Sequence, residues 1–412
     1  MTQDKREEKR VLIAGGGPVG LVTALALARQ GIPVTVLEAE PVLAMDQRAG
    51  SFHPPTMDML DGLGIAAEMK KTGIPIPRWQ IRDRKEGLIV EWDLGVIADS
   101  TRHPYRLHLE QHRLTPIVLE LLKPFAHAEV LFSHAVSGIE TMTDGVTVTC
   151  TLPGSESNGG ERQFNGAYLI GCDGGRSAVR KWMGTEFEGF TWPERFIVIS
   201  TPYDIGQHGY TGNAYIADPE EWIAIFQMPH EGPPGLWRFA MPVIPEHSDE
   251  FALSHAEVQR RLKGFLPAIA GDYEVPYCGI YKVHQRVAKE WRKGRVLLAG
   301  DAAHINNPLG AFGLNGGIQD AVNLSEKLGA VWRGEQPEAH LDLYVRQRRT
   351  ANIEFVQSNS IRNKEMMEEK DPAKKHARFA ELRAKAADPK LAREAMLVSS
   401  MIGSVRRAAE IT

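Results

Sequence analysis

Residues 11–38 read VLIAGGGPVGLVTALALARQGIPVTVLE and constrain the fold more than any other stretch of the chain. A short apolar run, a glycine turn, an amphipathic helix, a second apolar run and a single acid follow one another in the order of a βαβ unit that cradles a dinucleotide pyrophosphate. Gly15 lets the chain leave the strand in a tight turn, Gly17 lets backbone N–H groups approach phosphate, and Gly20 lets the helix lie close on the strand. Pro18 and Val19 open the helix, whose N-terminus offers partial positive charge to an anion. Glu38, about 20 residues past the glycines, is placed to accept hydrogen bonds from a ribose. FAD or NAD is therefore the expected ligand.

A chain of 412 residues is long enough for two or so domains. Its formal charge of −4 argues against general attraction to nucleic acid or to anionic membrane surfaces. The opening MTQDKREEKR has no apolar signal region, and no apolar run is long enough to span a bilayer, so a soluble cytoplasmic protein without a membrane partner is expected. Cys150, Cys172 and Cys278 are scattered and fit buried thiols in a reducing compartment. No metal-ligand spacing appears, and His53, His208 and His304 are expected in surface or structural roles, with His53 or His208 as a lesser candidate for assisting phenol deprotonation.

The rest of the chain alternates in character. Residues 48–69 suggest a loop with a double proline followed by a helix, and 111–125 a helix stopped by Pro124. Residues 129–152 suggest a β-meander turning at Asp144-Gly145, with an exposed loop over 153–161. From 196 to 243 several aromatic-rich strands are expected, and Ser254 is the N-cap expected for a helix over 254–265. Residues 295–301, RVLLAGD, form a buried strand ending in Asp301, whose carboxylate is placed at a carboxyl strand end to bind polyol hydroxyls. Gly310, Gly313, Gly316 and Gly317 then run into a helix expected to begin near Leu314, with free N–H groups for an anion or ring carbonyl. Beyond it the chain is helical, broken at Asp371-Pro372 and Asp388-Pro389, and RQRR at 346–349 reads as a solvated helix face or, as the lesser reading, a dimer contact. The expected class is α/β: a Rossmann-like cofactor domain from residues 1–75, 106–182 and 278–340, an inserted β-rich substrate domain from 76–105 and 183–277, and a helical C-terminal region over 341–412.

Three segments, GGGPVG with Glu38, CDGGRSAVR at 172–180, and GDAAHINNPLGAFGLNGGIQDA at 300–321, together resemble the fingerprints of the single-component FAD-dependent aromatic hydroxylases of the para-hydroxybenzoate hydroxylase type. Departures are modest: Gly175 stands where Ala is usual, Asn306-Asn307 precede Pro308 where another proline is common, and Ala311 replaces a frequent glycine. The resemblance implies noncovalent FAD, NAD(P)H as co-substrate without its own Rossmann unit, and hydroxylation of a phenolic or activated ring by O2 through a flavin hydroperoxide. It places Arg48, Gln111 and Asp301 on FAD, Asp173 on FAD and the pyridine nucleotide, Pro308 beside the flavin, and Leu314 and Asn315 at the helix start aimed at the flavin ring. In the middle strands it puts Tyr215 on the substrate phenol and Arg238 on the flavin, while Phe226 and Met228 fall where a serine and an arginine would hold a carboxylate. A buried carboxylate there would lack a cation, so a ring without one at that position is expected. For Tyr215, Trp222 and Phe226, which are candidates to touch the substrate, plain sheet core is the alternative. Two functional alternatives stay open: oxidation of an N-heteroaromatic or polyketide substrate, and a flavin-binding redox sensor without turnover.

Overall fold

The computed structural model describes residues 9–45, 50–153 and 160–412. Arg48 and most of the loop expected at 153–161 lie outside the described residues. A six-stranded sheet runs in the order Arg292–Lys293, Val296–Leu298, Tyr168–Gly171, Val11–Ala14, Val34–Leu37, Ala128–Leu131. All its strands are parallel except the antiparallel edge at Arg292–Lys293. Val11, Leu12 and Ile13 are fully buried, as parallel strands covered on both faces require, and each such side chain contributes roughly 1.5–3 kcal/mol of burial. The helix Pro18–Ala28 starts with Pro18 at a position whose N–H would have no helical partner, so nothing is lost there.

The second large sheet has eight strands in the order His304–Ile305, Tyr277–Ala288, Phe187–Thr201, Leu236–Val243, Ile223–Met228, Asn213–Ala217, Arg78–Asp83, Gly87–Asp93. It therefore runs past the expected boundary at 277: the strand Tyr277–Ala288, assigned from sequence to the cofactor domain, pairs with Phe187–Thr201 over both its halves. A small meander of Ala135–Thr141, Val146–Thr151 and Glu161–Gly166 turns at Asp144-Gly145, while Ala128–Leu131, expected within it, instead closes the edge of the parallel sheet. The double proline begins the helix Pro54–Gly62 rather than preceding it. Asp371 and Asp388 cap the helices Pro372–Ala387 and Pro389–Ser399, each accepting from two backbone amides, so the two Asp-Pro pairs are helix starts.

The RQRR segment is not a solvated face. Arg348 is buried and pairs with Asp320 at 2.7 Å, and Arg349 donates to the Ala288 carbonyl at 3.1 Å. Period alone hid this, because the acid that neutralises Arg348 lies 28 residues away on the helix Phe312–Trp332. No helix among the described residues is long and apolar enough to cross a membrane.

Candidate active site

A cavity of about 700 Å³, within the range of small-molecule sites, opens between the two sheets. All three fingerprint segments line it. The first contributes Gly15, Gly17, Pro18, Val19 and Glu38, the second Asp173, and the third Asp301, Pro308, Gly313 and Leu314. Gln111, at the start of the helix Gln111–Leu122, lines it as well.

The glycine turn is built around two close approaches. Gly15 has φ +100°, and a Cβ there would lie 2.5 Å from the Cys172 carbonyl; a Cβ on Gly20 would lie 2.0 Å from the Gly15 carbonyl. Gly20 thus lies under the turn and does not line the cavity. Around the Cα of Gly17 the protein leaves open space, so the turn presents its backbone to the cavity with nothing in between. Glu38 accepts from the backbone amides of Gly16 and Glu40, and its remaining lone pairs are available at the cavity wall.

Asp173 accepts from the Ser177 hydroxyl at 2.5 Å and from the amides of Ala178 and Val179, so its carboxylate caps the helix Ala178–Met183 as well as lining the cavity. Arg180 donates to the carbonyls of Ala302 and Gly175 and lies over the Phe187 ring, tying the second fingerprint to the third.

The helix expected near Leu314 begins at Phe312, after Ala311 in the left-handed region at φ 57°. Among the described residues neither this helix nor Pro18–Ala28 has a side-chain cap, and neither has an acid in its first turn, so two helix N-termini meet the cavity with N–H groups that no described side chain claims. Asn315 does not line it. Its side chain donates to the Ser51 and Ala311 carbonyls and accepts from the His53 amide, holding the helix start against the residue before Pro54. Below, Asp320 accepts from His304 at 2.7 Å, from Arg348 at 2.7 Å and from the Gly300 amide at 3.1 Å, all buried. Burial would raise the Asp320 carboxyl, but His304 and Arg348 take it below the ordinary range.

A dinucleotide fits these donors: amides and the first helix terminus for pyrophosphate, carboxylates at Glu38 and Asp301 for hydroxyls, and the second helix terminus at Gly313 and Leu314 for a ring carbonyl. A family model described as an FAD binding domain matches residues 8–359. The chain belongs to this FAD-binding family. It is 37% identical over 371 residues to a para-nitrophenol 4-monooxygenase of a Pseudomonas species, covering 89% of each chain. It is 35% identical over 360 residues to a 6-hydroxy-3-succinoylpyridine 3-monooxygenase of Pseudomonas putida, covering 86% of this chain and 89% of that one. The crystal structure of a p-nitrophenol 4-monooxygenase from Pseudomonas putida superposes with a TM-score of 0.89 at 34% identity, over 96% of this chain and 98% of that one. The protein is an FAD-dependent aromatic monooxygenase, as the three fingerprints implied.

At the opposite end of this FAD-binding cavity, the antiparallel register sets Phe226 opposite Arg238 and Ala224 opposite Ala240, so these side chains share one face of the sheet. Phe226, Met228, Arg238 and Ala240 all line the cavity, as does Val198. Trp222 does not. Its ring packs on Phe196 at 4.8 Å and its indole N–H donates to Glu368, which makes it a core link to the C-terminal helices rather than a wall of the site. Tyr215 is buried just behind the wall, edge-on to Phe226 and Trp79, and its hydroxyl accepts from the Gly310 amide at 2.9 Å. Burial pushes its phenol up, with Arg106 opposing. His208 is exposed in the turn Ile205–His208, outside the cavity lining, and bonded to the Tyr203 hydroxyl at 2.9 Å.

Sequence reasoning missed Arg106 and His108. Both lie on the strand Arg106–His108 and are fully buried. Arg106 donates to Asn213 and lies 5.0 Å over the Trp79 ring; His108 donates from Nδ1 to the Gln227 carbonyl, leaving Nε2 buried without a partner among the described residues. Burial, reinforced by Arg106 and Arg238, takes the His108 imidazole down to about 3. His53 likewise donates from Nε2 to the Gly310 carbonyl at 2.8 Å, and burial with Arg106 nearby holds it well below the ordinary histidine range. An RLH triplet carries no signal of this, since its alternation reads equally as an exposed strand.

Proposed function

We propose that this flavoprotein hydroxylates a phenol bearing no carboxylate at the Phe226–Met228 end, using NAD(P)H and O2. The observation that carries the reading is the shared face of Phe226, Met228, Ala240 and Val198 on the cavity wall: an apolar stretch beside the Arg238 guanidinium. Bound FAD supplies the electron transfer and oxygen activation that side chains cannot. The amides at Gly17 and the N-terminus of Pro18–Ala28 hold its pyrophosphate, Glu38 a ribose, and Asp301 the polyol chain. The amides of Gly313 and Leu314, at the start of the helix Phe312–Trp332, would favour negative charge on a ring carbonyl placed there. Pro308 and Arg238 line the cavity where they would meet the ring, and Phe226, Met228 and Val198 would shield the reacting face from water. Tyr215 acts from behind this wall, through Gly310. The names of the relatives favour a para-substituted phenol such as 4-nitrophenol, with a hydroxypyridine as the second substrate type to test.

The experiment is a panel of 4-nitrophenol, phenol, 4-hydroxybenzoate and 2-hydroxypyridine, scored for ring-stimulated NAD(P)H oxidation and for one atom of ¹⁸O from labelled dioxygen in the product. Phenols without a carboxylate should be oxygenated and 4-hydroxybenzoate should be poor. Preference for 4-hydroxybenzoate would overturn the proposed register of the substrate, and oxidation without label would overturn oxygen insertion.

A further inference from the structure

The loop of residues 306–311, which carries Pro308, is held almost entirely by side chains from outside it. The Asn307 amide donates to Gln285 Oε1 at 3.0 Å, the Leu309 carbonyl accepts from Asn363 at 3.2 Å, the Gly310 amide donates to Tyr215, and the Gly310 carbonyl accepts from His53. Within the loop, Leu309 N donates to Asn307 Oδ1 and Ala311 N to the Pro308 carbonyl. Such pairing of buried backbone groups is what keeps a non-repetitive segment in one conformation.

Gln285 itself is oriented from the C-terminal region. Its Nε2 donates to Gln357 Oε1 at 2.5 Å and to the Ser360 hydroxyl at 3.0 Å, which leaves Oε1 facing Asn307. Gln357 ends a π-helical turn, Asn352–Gln357, interposed between the helices Leu341–Ala351 and Ser358–Met367. A π turn brings side chains five residues apart onto one face, and the Gln357 amide donates to Asn352 Oδ1 at 3.2 Å across that spacing, and to the Ile305 carbonyl at 3.3 Å. An interruption of this kind, which forgoes regular helical bonding, is frequent at functional sites.

We propose that Gln357, through Gln285, is a positioning residue that clamps the Pro308 loop and thereby sets how much of the oxygen consumed ends in product rather than in hydrogen peroxide. The inference rests on the assignment of this loop to the flavin edge. Gln357 touches neither the cavity nor the ring end; its effect travels through two amide side chains.

The test uses Gln357→Leu, Asn363→Leu and the conservative Gln357→Glu in the full chain. In flavin-free protein, amide exchange over residues 305–311 should accelerate about tenfold in both leucine variants, and Gln357→Glu, which keeps the acceptor for Gln285, should recover most of the protection. In the loaded enzyme, the peroxide formed per NAD(P)H should rise in the same order while anaerobic flavin reduction stays within about twofold. Unchanged exchange in both leucine variants, or faster exchange with an unchanged peroxide yield, overturns the proposal. The exchange measurement needs neither flavin nor substrate, so its failure is distinct from failure of the proposed reaction.

Discussion

The Tyr215 hydroxyl and the Gly310 amide meet at 2.9 Å, so the residue expected on the substrate's phenol is bonded to the loop that borders the flavin ring. The bond is buried, and removal of its acceptor leaves an N–H without water to replace it. Tyr215→Phe should therefore cost about 1–3 kcal/mol of stability in chemical denaturation and lower product yield more than flavin reduction. Full stability with full coupling would remove Tyr215 from the loop's support.

Two glycines of the first fingerprint should separate folding from ligand binding. Gly15→Ala brings a Cβ to 2.5 Å from the Cys172 carbonyl at φ +100° and should destabilise the flavin-free chain by roughly 3 kcal/mol or more. Gly17 has ordinary extended backbone and open space at its Cα, so Gly17→Ala should leave the flavin-free melting curve within about 1 kcal/mol of the parent. Its FAD affinity should nevertheless fall by about tenfold or more, because the new methyl occupies the approach to the pyrophosphate. Equal FAD retention, measured by titration of flavin fluorescence, would count against this site.

The Asp320 carboxylate is shared by His304, Arg348 and Gly300 without solvent. Asp320→Asn leaves the Arg348 guanidinium buried without its counter-charge and should cost about 3–5 kcal/mol, read from denaturant midpoints.

Acid stability should carry the mark of His108. Its folded-state value near 3 lies below the ordinary histidine value, so the unfolded chain takes up the proton first. Its neutral form stabilises the fold above the ordinary value, and this contribution drains away as pH falls from about 6.5 towards 3, at a slope approaching 1.4 kcal/mol per pH unit. His53, held low for the same reason, adds to the slope. His108→Gln should flatten the pH dependence of unfolding between pH 6 and 4, within about one kcal/mol per unit, and an unchanged slope would mean that the imidazole is protonated in the fold.

The cofactor half was legible because its signals are local. The strand, glycine turn and helix of residues 11–28 are contiguous, and Glu38 is reached within one βαβ unit. The resemblance put Phe226 and Met228 side by side, and a period of two sets their side chains on one face of the strand Ile223–Met228. Arg106, Gln285 and Gln357 were not legible, because their partners lie about 107, 22 and 72 residues away and each is individually an ordinary polar residue. Arg348 misled for the same reason: a basic run looks solvated until its buried acid is seen. Trp222 shows the limit of aromatic strand patterns, which mark packing and binding alike.

The bonds from Ser360 and Asn363 to the centre of the molecule, with Arg106 also reaching the Ser399 carbonyl, bear on how the protein is made. These helices follow the glycine turn in chain order, so during synthesis residues 11–38 emerge well before the segment that braces the 306–311 loop. If Gln357 clamps the Pro308 loop as proposed, a nascent chain that took up flavin before these helices docked would hold a reducible dye without that brace.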